Sequence, residues 1–132
     1  MDIGMVGLGR MGLNMALRIS KAGHKIVAYD PDEEARKSVG REGILAVSSL
    51  QELIQELKPP RFIWVMVPSG SITEQTIESL SSGLDSGDVV IDGGNSNYKD
   101  SVRRGLYLLE SGIGFLDVGT SGGIWGLENG YS

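Results

Sequence analysis

Apolar and polar positions alternate along this chain in blocks of two kinds. Runs of four to six mostly apolar residues fall at 3–6, 25–29, 44–47, 62–67, 89–92 and 115–118. They read as strands, because each is short, rich in β-branched or aromatic side chains, and bounded by Gly, Pro, Asn or Asp. The longer stretches between them carry apolar residues at helical spacing. Over 12–22, Met15, Ala16 and Ile19 share one face, and Gly23 supplies the stop signal. Further helices are predicted over 32–39, from Ser48 or Ser49 to about Leu57, over 72–80 and over 97–111. Glu52 is placed for a capping box with the Ser pair, and Pro59-Pro60 ends that helix. Ser96 or Asn97 caps the last one. The run 62–67 is apolar throughout, as expected for a central strand covered on both faces, and Pro68-Ser69-Gly70 breaks it. Residues 119–132 read as a Gly-rich, unfinished tail.

Six strands with five intervening helices predict an α/β fold. The pattern is that of a doubly wound, mainly parallel Rossmann-type sheet with helices on both faces and strand order 3-2-1-4-5-6. A length of 132 residues suits one domain with a real core. Ligands in such sheets sit outside the carboxyl ends of the strands, near the switch between the first and fourth. The informative residues are therefore those just after strands: 7–12, Asp30, 67–70, 92–95 and 120–123.

Composition narrows the partners. With 40% hydrophobic and 22% charged residues the chain reads as globular. A net charge of −5 argues against nucleic acid or an anionic membrane surface as partner, although helix N-termini can still bind a local anion. The chain has no Cys, which excludes disulfides and thiolate metal sites, and no His or carboxylate cluster shows ligand spacing. No metal is expected. The longest apolar run is too short to span a bilayer, and no signal-peptide pattern opens the chain, so a cytoplasmic location is the default expectation.

The first candidate site is Gly7-Leu8-Gly9-Arg10-Met11-Gly12, a G-x-G-x-x-G loop entered from a strand and left through a helix. Gly7 would allow a tight turn, Gly9 a close approach of backbone to a pyrophosphate, and Gly12 close packing of helix on strand. The helix N-terminus would then face the phosphates. Asp30 ends the second strand, 18 residues after Gly12, where a carboxylate can accept from the adenosine ribose hydroxyls and repel a 2′-phosphate. Asp-Pro is also a common helix start. The ribose role favours NAD over NADP, with Arg36 and Lys37 as cations that could fold back toward a 2′-phosphate. Val67, Pro68 and Ser69 follow the fourth strand and could border the cofactor through their backbone. His24 lies at the other end of the sheet and reads as a helix-end residue. The Glu and Lys residues on the helices read mostly as solvated faces. Two segments remain, Asp92-Gly93-Gly94-Asn95-Ser96 and Asp117 to Gly126. Each pairs glycines with a small polar side chain, suited to a polyhydroxy acid or a carboxamide. Helix capping and a flexible connector are the simpler readings.

Together, residues 7–15, 92–96 and 117–127 resemble the short bacterial branch of the decarboxylating 6-phosphogluconate dehydrogenases. The resemblance implies that Gly7–Gly12, Asp30, Val67, Pro68, Ser69 and Asn95 line the dinucleotide. It also implies that Asn95, Ser121, Gly122 and Gly123 touch the sugar acid. Many members use NADP, held by a cation after the second strand; here that place is taken by Asp30-Pro31-Asp32. The implied reaction oxidises 6-phosphogluconate and releases CO₂ to give ribulose 5-phosphate in the pentose phosphate pathway. It requires a Lys base and a Glu acid, which the resemblance places on a helix after residue 132, with a helical domain supplying homo-oligomer contacts. Residues 1–132 are thus expected to be the cofactor domain, cut near its C-terminus. The alternatives are a related β-hydroxyacid dehydrogenase or imine reductase, or a non-catalytic nucleotide-binding module.

Overall fold

A computed structural model describes all residues, 1–132. Six strands, β1 (Asp2–Val6), β2 (Lys25–Tyr29), β3 (Leu45–Val47), β4 (Phe62–Val65), β5 (Val89–Asp92) and β6 (Gly114–Asp117), form one sheet in the order β3-β2-β1-β4-β5-β6. Every pairing is parallel. The helices between them are α1 (Arg10–Lys21), α2 (Glu33–Arg41), α3 (Leu50–Glu56), α4 (Ser71–Ser81) and α5 (Tyr98–Leu109). This is the predicted Rossmann-like architecture.

Capping chemistry explains where the helices begin. The Asp32 carboxylate accepts from Glu34 N–H at 3.0 Å, Ser49 Oγ from Glu52 N–H at 3.1 Å, and Asn97 Oδ1 from Lys99 N–H at 2.9 Å. Ser49 is thus the cap of α3, and the Glu52 carboxylate reaches back to the Ser48 N–H at 2.9 Å.

Two apolar layers sandwich the sheet. On one face Val6, Val27, Ile63, Val65 and Val90 meet Leu53 of α3, Ile77 and Leu80 of α4 and Leu108 of α5. On the other, Met5, Ile26 and Ala28 meet Met15 and Ala16 of α1 and Val39 of α2. Strand β4 serves both layers, Ile63 and Val65 toward the first and Trp64 toward the second. That is why its sequence is apolar without alternation.

The tail departs from expectation. Residues 119–132, read from sequence only as a Gly-rich, unfinished tail, form defined structure. A 3₁₀ turn (Gly123–Trp125) leads into α6 (Gly126–Asn129), and this hairpin packs against α1. Arg18 of α1 donates to the carbonyls of Leu127 at 3.0 Å and Glu128 at 3.3 Å. Ser132 then pairs with Ser121 through two backbone hydrogen bonds of 2.7 and 3.0 Å. Some boundaries also shift. Strand β4 ends at Val65 rather than residue 67, and α1 begins at Arg10 rather than residue 12.

Register decides where the site is. Val47 pairs with Tyr29, Tyr29 with Val6, Val6 with Val65, Val65 with Asp92 and Asp92 with Asp117. One row of residues therefore crosses all six strands. The segments after it emerge along a single edge.

Candidate functional site

At that edge the loop between β1 and α1 is built from three glycines with three different surroundings. Gly7 has φ +97°, and a Cβ there would lie 2.4 Å from the Met66 carbonyl oxygen. A Cβ on Gly12 would lie 2.0 Å from the Gly7 carbonyl oxygen. Both positions are closed to any side chain by the protein's own backbone. Gly9 differs: a Cβ there would meet nothing within 4 Å. Its missing side chain leaves open space at the N-terminus of α1. That terminus has no side-chain cap and no acidic residue in its first turn. Its first N–H groups and the positive end of the helix dipole face this space unneutralised.

Two clefts flank the loop and share Gly9, Met66, Val67 and Pro68. The first, about 440 Å³, runs toward Asp30 and Pro31 after β2 and is walled by Ile72, Gln75 and Thr76 of α4. The second, about 310 Å³, runs toward Gly93, Gly94 and Asn95 after β5 and includes Met11 and Gly12. No Lys, Glu or His lines either cleft. Their chemistry is that of shape, backbone donors and one carboxylate, which binds and orients.

Asp30 holds the turn at the first cleft. Its Oδ2 accepts from Leu8 N–H and its Oδ1 from Asp32 N–H, both at 2.8 Å. Each oxygen retains a further lone pair. The two cations raised in the sequence analysis part company here. Lys37 pairs with Glu33 at 3.1 Å and Glu34 at 3.3 Å. Arg36 does fold back, and its Nη1 donates to the carbonyls of Asp30 at 2.8 Å and Pro31 at 3.0 Å.

At the second cleft Asn95 adopts φ +55°, a left-handed conformation uncommon for a residue other than glycine. Its Oδ1 accepts from Thr120 N–H at 3.2 Å, and its Nδ2 reaches the Thr120 carbonyl at 3.5 Å. The side-chain amide thus joins the turn after β5 to the segment after β6, where Ser121, Gly122 and Gly123 follow. Ser121 is exposed, its hydroxyl 3.2 Å from that of Ser132.

The other residues singled out from sequence fall as follows. Leu8 is buried in the core and offers the site only its backbone. Arg10 and Ser69 are exposed and line neither cleft. His24 is exposed at the opposite end of the sheet, 3.3 Å from the N-terminal amine. Sequence reasoning missed Ile72, Gln75 and Thr76; only their position on the first helical turns after the Pro68 break hints at them. It also read the helix Glu residues as solvated, which fails at Glu74. That carboxylate meets Arg103 at 2.5 and 3.0 Å and Arg104 at 2.7 Å. The Arg103 hydrogen bonds lead in holding Glu74 down at about 2, against desolvation and with help from Arg104.

Comparison with known proteins identifies this arrangement. The family model for the NAD binding domain of 6-phosphogluconate dehydrogenase matches residues 2–132. The chain belongs to this family. It is 41% identical over 132 residues to the NAD(+)-dependent, decarboxylating 6-phosphogluconate dehydrogenase of Haloferax volcanii, covering 100% of this chain and 43% of that protein. It is 40% identical over 135 residues to the NADP(+)-dependent, decarboxylating enzyme of Bacillus subtilis, covering 99% of this chain and 29% of that one. Among solved structures, 6-phosphogluconate dehydrogenase of Plasmodium falciparum superposes with a TM-score of 0.89 at 34% identity, over 99% of this chain and 29% of that one. The chain thus spans less than half the length of these relatives. An NAD(P)-binding domain of the 6-phosphogluconate dehydrogenase family is what the fold, the loop and the relatives jointly describe. No helix in it is long and apolar enough to cross a membrane.

Proposed function

We propose that this chain binds NAD in preference to NADP. Its part in the whole protein is that of the cofactor domain in the oxidative decarboxylation of 6-phosphogluconate to ribulose 5-phosphate. The observation that carries the reading is the open space at Gly9, where the uncapped start of α1 meets the junction of two clefts. A dinucleotide has that form: two nucleosides joined by a pyrophosphate. Gly7–Gly12 would hold the pyrophosphate. Asp30 would take the adenosine ribose. Val67 and Pro68 would border both halves, and Asn95 the nicotinamide end. When bound, the nicotinamide supplies a hydride acceptor. The chain's own residues orient it and exclude water beside it.

Preference for NAD rests on Asp30, whose negative charge opposes a 2′-phosphate at the same place. The relatives include both NAD(+)- and NADP(+)-dependent enzymes. Arg36 is the one cation folded against this turn. Substrate contact is assigned to Asn95, Ser121, Gly122 and Gly123; Asn95 lines the second cleft, the other three do not, and the Asn95–Thr120 hydrogen bonds that link the two segments support the assignment. Proton transfer is assigned, on the family resemblance alone, to a Lys and a Glu elsewhere in the whole protein; neither residue type lines the clefts. Calorimetric titration of the chain with NAD and NADP tests the reading. Tighter binding of NADP overturns the Asp30 argument, and binding of neither overturns the site.

A further inference from the structure

Beneath the second cleft lies a set of buried charges that the cofactor reading does not use. Asp92, the last residue of β5, is fully buried. Its Oδ1 accepts from Gly94 N–H at 2.9 Å and its Oδ2 from the Ser96 hydroxyl at 2.5 Å. Arg104, on the inner face of α5, is only 2% exposed. Its Nε donates to Glu74 Oε2 at 2.7 Å and its Nη2 to the Gly70 carbonyl at 3.3 Å. Its Nη1 stands 3.7 Å from Asp92 Oδ2 and has no hydrogen-bond partner.

An arginine is an expensive way to cover a sheet. Desolvating the guanidinium opposes folding, and an apolar side chain of similar size would often serve stability as well. What the guanidinium adds is reach. Its nitrogens face three segments at once: the end of the turn carrying Val67 and Pro68, the first turn of α4, and Asp92. The Asp92 carboxylate then clamps the turn that holds Asn95 in its left-handed conformation. Both walls of the second cleft are therefore tied to one side chain.

We infer that Arg104 is a positioning residue for the nicotinamide end of the site. Acting through Asp92 and Ser96, it fixes Asn95 opposite Val67 and Pro68. The inference rests on the NAD reading above. Arg104 also holds segments that border the first cleft, through Gly70 and Glu74, whereas the Asp92–Ser96 arm reaches only the second.

The test compares NADH with ADP-ribose, which lacks the nicotinamide. Binding of both to the chain is measured by calorimetry, with a melting curve for each variant. Arg104→Met should weaken NADH about tenfold and ADP-ribose by no more than about threefold, since the segments that it holds also border the first cleft. Ser96→Ala keeps Arg104 and its packing, and should weaken NADH about threefold with ADP-ribose unchanged. Arg104→Lys should recover part of the NADH loss. If Arg104→Met does not fold, Ser96→Ala decides alone. Equal weakening of both ligands, or no change in either, overturns the positioning role. So does a wild type that binds ADP-ribose as tightly as NADH. A wild type that binds neither ligand refutes the NAD reading itself, and this inference with it.

Discussion

The backbone N–H of Leu8 donates to Asp30 Oδ2 at 2.8 Å, so the residue proposed to select the cofactor also anchors the loop proposed to hold it. Asp30→Asn keeps an acceptor for Leu8 and removes the negative charge. The ratio of NADP to NAD dissociation constants should fall by about tenfold, an effect of roughly 1.4 kcal/mol. Titration of both cofactors against the variant measures it. An unchanged ratio would assign the preference elsewhere.

Arg36 offers a second handle on the same question. With Nη1 engaged by the carbonyls of Asp30 and Pro31, its expected role is to order the turn. Arg36→Ala should therefore weaken NAD and NADP alike, by about threefold. Selective loss of NADP would identify Arg36 as an anion contact and reverse the proposed preference.

Gly9 and Gly12 should separate ligand binding from folding. A Cβ at Gly9 meets nothing within 4 Å, and its φ of −61° suits any residue. Gly9→Ala should change stability by less than about 0.5 kcal/mol. It should nonetheless weaken the dinucleotide at least about tenfold, because the new methyl occupies the phosphate space. Gly12→Ala meets the Gly7 carbonyl at 2.0 Å and should lower stability by about 1–3 kcal/mol through overpacking. Urea unfolding and calorimetry on the two variants check both halves of the contrast.

Glu74 sets an acid limb on stability. Its carboxyl is held at about 2 in the folded chain, against an ordinary value of 4.5. A depressed folded-state pKa means that the unfolded chain binds the extra proton first. The contribution is therefore complete above about pH 4.5 and is lost as pH falls toward about 2. The urea midpoint of Glu74→Gln should lie below that of wild type at about pH 6, and the gap should close by about pH 2. A gap independent of pH would show that the carboxylate charge is not what Arg103 and Arg104 hold.

Much of this could be read from residue order, because the decisive signals are local. Each strand announces itself by a short apolar run ended by a breaker, and the alternation with helices dictates the parallel sheet. Gly7, Gly9 and Gly12 sit in adjacent turns, so their spacing is visible in six residues of text. What escaped was non-local. Nothing near Arg18 says that it will bind carbonyls of Leu127 and Glu128, 109 and 110 positions away. From sequence the tail therefore reads only as Gly-rich and unfinished. Glu74 read as a solvated helix charge and nothing singled out Arg104, because burial of a charge depends on what the sheet brings against it. Strand β4 read two residues too long because Met66 and Val67 are apolar for another reason: they wall the clefts.

The contrast between Gly9 and its two neighbours has a consequence for inheritance. Damage at Gly7 or Gly12 strikes the backbone itself, so such a protein would unfold more often and be cleared by proteases. Damage at Gly9 would go unnoticed by that surveillance. The altered chain would accumulate at normal abundance, fully folded and empty.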